Sequence, residues 1–366
     1  MKQYLLTIIL SALYLSITSC SDSSSDDYVA VPTVPGAPLS PVVMNLDSVP
    51  YTNLSKYNFF EGNIKEQQPV RGVLPYDLNS SLFSDYAQKK RFVWMPAGTK
   101  ASYTSDGEIL DFPIGAVLIK TFYYDNAYPA RTTDLVETRV MIKKATGWIF
   151  ANYVWNTDMT EAILTTNSGT KVVKWYQGDY LRTVNYKIPS QAQCASCHLL
   201  NNVNKPVGPK PQNLNKDYNY ADGTANQLSK WIAMGYLNTA PANITSTVDW
   251  TNTSLSLNLR ARSYLDINCA HCHSEGRYCS YTPMDLAFNQ TNINTNLGVC
   301  VEPQDFVSGD EQYIIAGGDA GASLMFFKVK STDPTEMMPL IGRTMIHREG
   351  VALLQEWIDN MDETCQ

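Results

Sequence analysis

Histidine is scarce in this chain, with four in 366 residues, and the stretch 46–190 contains neither histidine nor cysteine. That absence excludes a cysteine–histidine metal site or a nucleophile–histidine dyad built within the stretch. A positive surplus is also missing. Lys plus Arg number 28 against 35 Asp plus Glu, so the basic footprint of a nucleic-acid binder is not there. Tyr4 to Ile17, an apolar run of 14 residues, is shorter than the roughly 20 that a membrane-spanning helix needs. The chain is long enough to bury a core without disulfide staples.

What is present is concentrated. Cys194-Ala195-Ser196-Cys197-His198 and Cys269-Ala270-His271-Cys272-His273 contain four of the eight cysteines and three of the four histidines. Two thiols three positions apart, followed at once by an imidazole, is the pattern of covalent haem attachment: the cysteines add to the vinyl groups and the histidine ligates the iron. With so few cysteines and histidines available, two matches are not coincidence. The pattern predicts two haem c groups on Cys194, Cys197, Cys269 and Cys272, with His198 and His273 as axial ligands. A competing use of the four thiols is a structural zinc site, which would not require a histidine after each pair.

The N-terminus reads as an address. Lys2, the apolar run and Ile17-Thr18-Ser19-Cys20 resemble a bacterial lipoprotein signal spanning 1–19, with Cys20 as the lipidated residue. An ordinary secretory peptide containing Cys20 is the alternative. A polar and proline-spaced stretch, 20–45, then serves as a tether. Attachment by lipid alone places the expected protein at the outer membrane, facing the periplasm or the cell surface. Covalent haem attachment outside the cytoplasm agrees with export.

Branched and aromatic runs separated by turn residues make 46–190 a β region, for example Ala116–Tyr124 and Val136–Ile142. Val184–Pro189 reads as a strand that delivers the first motif. Helical spacing is predicted over Asn226–Leu237, over Leu255–Ile267 before the second motif, and over Glu349–Ile358. The two outer helices share Leu-x-x-Trp-Ile, which suggests a duplicated unit.

The second haem unit is nearly complete. Its second axial ligand is expected from Glu336-Met337-Met338-Pro339, with Met338 favoured over Met337, and Met325 reads as packing. Cys279 and Cys300 are the expected disulfide, with Cys365 left without a role. Arg343 is assigned either a haem propionate or a surface ion pair. The first unit is incomplete, because its loop Leu199–Ala225 contains neither Met nor His. Met234 and His347 are the candidates for its iron, alongside an open position. His271, between the second pair of cysteines, reads as a solvent-facing spacer.

With Leu74-Pro75-Tyr76-Asp77, Leu82-Phe83-Ser84-Asp85-Tyr86, Asp111-Phe112-Pro113, Gln193–His198, Asp266–His273, Met337-Met338-Pro339 and Gly342-Arg343 in place, nearly the whole mature chain resembles a family of exported dihaem c-type cytochromes. The resemblance implies electron transfer in the envelope between a redox donor and an acceptor protein. It also implies a neighbouring gene for a parallel β-helix protein, a candidate partner. The expected fold is mixed: an N-terminal all-β domain (46–190), sandwich or barrel-like, followed by mainly α cytochrome c-like units at 191–250 and 251–366. The alternative function is a dihaem enzyme, peroxidase-like or the electron-accepting part of a dehydrogenase, with an open first haem.

Overall fold

The branched and aromatic runs of the first half meet in one antiparallel sheet of eight strands in the computed structural model, which describes residues 39–304 and 311–365. In chain order the strands are β1 (Leu74–Tyr76), β2 (Gln88–Trp94), β3 (Val117–Ala127), β4 (Thr132–Lys144), β5 (Gly147–Trp155), β6 (Ala162–Thr165), β7 (Gly169–Gln177) and β8 (Tyr180–Ile188). The order across the sheet is β8, β7, β3, β4, β5, β6, while β2 pairs with the first half of β3 and β1 pairs with β2. Strands β3 and β4 run 11 and 13 residues. At that length one edge of β3 serves β2 along most of its course and β7 at its end. The expected sandwich or barrel is therefore corrected to a single branched sheet whose pairings do not close.

Alternation along the strands sorts the two faces. Ile119, Val140, Ile142 and Tyr153 point to one side and pack beneath Leu54, Tyr57 and Phe59. On the other side Leu118, Met141 and Trp148 join Leu214, Leu228, Trp231 and Ile267. This second cluster crosses the boundary expected near residue 190, and the described residues from 40 onward form one unit by their contacts. Trp231 is fully buried at its centre, so Trp231→Ala would destabilise by about 3–5 kcal/mol.

Beyond the sheet the chain becomes more helical: α1 (Gln191–His198), α2 (Gln227–Ala233), α3 (Leu257–Asn268), α4 (Leu324–Lys330) and α5 (Arg348–Asp359). Helices α3 and α5 pack through Ala261, Leu265, Leu354, Trp357 and Ile358. The shared Leu-x-x-Trp-Ile is used differently in α2, where Leu228 and Trp231 enter the core with the sheet and Ile232 is exposed.

The disulfide joins Cys300 to Cys365, and Cys279 is a buried free thiol, which corrects the expected Cys279–Cys300 pair. Ile315 gathers the true partners: the Cys300 amide donates to its carbonyl, and Cys365 Sγ lies 3.8 Å from the same oxygen. Cys279 is held elsewhere, its amide donating to the Cys272 carbonyl. The expected signal segment 1–19, Cys20 and most of the tether lie outside the described residues. Among the described residues no helix is long and apolar enough to cross a membrane.

Candidate functional site

The first motif is carried by a helix that starts inside a capping box. Ser190 Oγ accepts from the Gln193 amide, and Gln193 Oε1 accepts from the Ser190 amide. β8 runs straight into this cap, so the sheet fixes where α1 begins. A tight hairpin follows, with Leu199–Leu200 paired to Val203–Asn204. Its two central residues, Asn201 and Asn202, both sit in the left-handed region (φ 49° and 61°), where asparagine is tolerated. The reversal brings the Lys205 carbonyl to 2.7 Å from His198 Nδ1. A carbonyl only accepts, so Nδ1 carries the proton and Nε2 keeps its lone pair.

The second motif reaches the same state by another route. Ser256 caps α3, and Cys269 sits at its C-terminal cap. His273 Nδ1 lies 3.0 Å from Thr282 Oγ1, whose hydroxyl donates to the Cys279 carbonyl. Thr282 must therefore accept from His273, which again leaves Nε2 as the free nitrogen. Burial, aided by the Lys120 charge, lowers the His198 pKa to about 3. Burial, aided by His271, lowers His273 to about 4. Both imidazoles are neutral at neutral pH, the form that binds a metal.

The two motifs touch. Cys197 Sγ, Cys272 Sγ and a His271 ring nitrogen lie within 4.8 Å of one another. Cys272 Sγ is 3.9 Å from the Ser196 carbonyl, the Asn201 amide donates to Gly276 O at 2.8 Å, and Arg277 donates to Leu199 O. Gly276 has φ 71°, and a Cβ there would collide with Asn201, so this approach needs glycine. The sulfur contact drives the Cys197 thiol down and the Cys272 thiol up in pKa. His271 is buried against this contact with Nδ1 unpartnered, which corrects its reading as a solvent-facing spacer. The fold turns it inward because the second motif is pressed against the first.

A cleft partly open to solvent lies beside Cys194, Cys197 and His198. Its far wall is the sheet, with Arg91, Lys120, Arg139, Met141 and Asn152. Pro339, Ile341 and Gly342 also line it, so the loop carrying Met337 and Met338 borders the first motif's cleft. Met337 is buried and Met338 half-buried.

That loop is held by two side chains. Arg343 is buried and donates to the carbonyls of Met338, Met345, Lys328 and Ser331, which corrects the surface ion pair expected for it. Asp85, from the segment between β1 and β2, accepts from the amides of Thr344 and Met345 and from the Thr344 hydroxyl.

The two candidates for the first iron lie elsewhere. Met234 is 43 % exposed at the end of α2 and does not line the cleft. His347 precedes α5 inside an aromatic box of Phe83, Tyr86, Trp250 and Tyr264. Its Nδ1 is 2.9 Å from the Tyr264 hydroxyl, and burial lowers its pKa to about 4. The sequence reading missed His271, Met141 and the basic wall. None had a signal in the sequence; Arg91, Lys120 and Arg139 meet only through strand pairing.

The donor set fits a covalently attached haem at each motif: a thiol pair, a neutral imidazole with a free Nε2, and, for the first, an adjoining cleft with basic groups on its far wall. Comparison of the chain with protein-family models, with curated proteins and with solved structures finds no match.

Proposed function

We propose that this chain is an exported dihaem c-type cytochrome, lipid-anchored through Cys20, that passes electrons between partner proteins of the cell envelope. The observation that carries the reading is the matched state of His198 and His273: each ring follows its own thiol pair in the chain and is tied at Nδ1, which leaves Nε2 as the nitrogen able to ligate. When bound, haem supplies a one-electron couple. The residues of the chain do the rest. Cys194, Cys197, Cys269 and Cys272 anchor, the two histidines ligate, and the Met338 loop offers a thioether that would raise a potential. Contact between Cys197 and Cys272 brings the two attachment sites within a few ångströms, which favours transfer between them.

A second reading rests on the same contact. Cys197, Cys272 and His271 would suit a soft ion such as zinc. It leaves His198, His273, Cys194 and Cys269 unused, and so explains less of the site. Haem staining after denaturing electrophoresis and metal analysis of purified, exported protein separate the two. Two covalent haems per chain are expected; a colourless protein with one zinc would replace the cytochrome account. Met338→Ala should abolish the sulfur-to-iron absorption band, and its survival would reassign the thioether ligand.

A further inference from the structure

Four strands place polar side chains in one row across the cleft wall. Arg91 on β2 is directly opposite Lys120 on β3, Lys120 is opposite Arg139 on β4, and Arg139 is opposite Asn152 on β5. All four line the cleft that holds Cys194, Cys197 and His198. Like charges directly opposite one another in a sheet repel. The outer two have their own partners: Arg91 pairs with Asp77 at 2.7 Å and Arg139 pairs with the fully buried Glu137.

Lys120, between them, has no hydrogen-bond or ion-pair partner among the described residues and only the Phe122 ring nearby, at 5.4 Å. Burial, followed by the neighbouring Arg139 and Arg91, lowers its pKa to about 7. Next to it, Arg139 Nε and both amide atoms of Asn152 are buried without a partner, and Asn152 is only 5 % exposed. An uncompensated cation and two orphaned donors, Arg139 Nε and Asn152 Nδ2, along one wall are costly without an acceptor. An anion in the cleft would accept from the Lys120 ammonium and from both donors, leaving only Asn152 Oδ1 to another partner.

We propose that Lys120, supported by Arg139 and Asn152, is the seat of a carboxylate carried into the cleft by the first haem, one of its propionates. This rests on the cytochrome reading. The thiols of Cys194 and Cys197 would fix the macrocycle inside the same cleft, so its carboxylates are the anions brought there in fixed stoichiometry. Lys120 is thus a positioning residue that would keep positive charge on the wall of the first motif's cleft, and such charge would favour the reduced form of an iron held there.

The test compares wild type, Lys120→Met and Lys120→Arg as full-length, exported protein, reading haem content and both reduction potentials. Lys120→Met should keep two covalent haems and lower one potential by the equivalent of about a tenfold change in the reduction equilibrium, about 59 mV for one electron. The other potential should stay in place, and Lys120→Arg should match wild type. No shift, or equal shifts of both potentials, overturns the assignment. If Lys120→Met does not mature, Lys120→Gln provides the same readout. A second arm titrates wild type with sodium acetate against sodium chloride at equal ionic strength. No change in the haem spectrum is expected; a saturable acetate response that Lys120→Met loses would assign the seat to a free anion and overturn the propionate. Wild-type protein without covalent haem would instead remove the cytochrome reading itself.

Discussion

The two motifs carry the same chemistry in opposite settings. Cys194–His198 lies on a short helix fed by a strand, and its surroundings are a sheet face with charged groups and an open cleft. Cys269–His273 follows a 12-residue helix packed on α5, near a disulfide and a largely apolar cluster. In each, an oxygen acceptor ties Nδ1 of the histidine, a carbonyl in one and a hydroxyl in the other. The comparison teaches that fixing the histidine's tautomer after a thiol pair needs only a local turn and one acceptor. What the surrounding fold decides is how open the motif is and how much charge lies beside it.

That contrast can be broken from the first side. Replacing Cys194 and Cys197 by alanine should halve the haem content while α3 and α5 still pack, giving one covalent haem per chain by pyridine haemochrome assay. Complete haem loss would show that the two settings are not separable. From the second side, Cys300→Ser with Cys365→Ser opens a crosslink spanning 65 residues. A loop of that size is worth about 4 kcal/mol in the chain-entropy picture. Denaturant unfolding should show the loss, and an unchanged midpoint would mean that the helical cluster holds without its staple.

Acid should act next. His347 has a pKa of about 4 in the folded chain, lowered by burial and set against an ordinary unfolded value near 6.5. The unfolded chain therefore binds the extra proton first. The stability this group contributes is present above about pH 6.5 and falls as the pH drops towards 4, by about 3 kcal/mol. His347→Phe should flatten that part of the stability–pH profile; an unchanged slope would assign the acid sensitivity to other groups. Smallest is Asp85→Ala, which removes three hydrogen bonds to Thr344 and Met345 and should destabilise by about 2 kcal/mol. It should also weaken the sulfur-to-iron band, since Asp85 ties the Met338 loop to the sheet. A full-strength band would show that Arg343 alone suffices.

Much of this was legible in the chain. Branched and aromatic runs between turn residues located β2 to β5, and the helices before the second motif and at the end fell within a few residues of their expected bounds. Helix α1 was not seen, although Ser190 and Gln193 spell its capping box, because it has no apolar face to give it a period. The disulfide was misassigned because cysteine count gives parity but not partners. Cys300 and Cys365 meet only after the tail returns past Ile315. The basic row was invisible for a similar reason: Arg91, Lys120, Arg139 and Asn152 become neighbours through strand register alone.

On the cytochrome proposal, the contact between Cys197 and Cys272 also bears on when haem would be attached. In the folded chain these sulfurs lie against each other, and the segments around them are sealed by the Asn201–Gly276 and Arg277–Leu199 hydrogen bonds. An enzyme adding a macrocycle at Cys197 or Cys272 would meet two sulfurs packed against each other once that seam has closed, so attachment is expected while the two motifs are still apart in the unfolded chain.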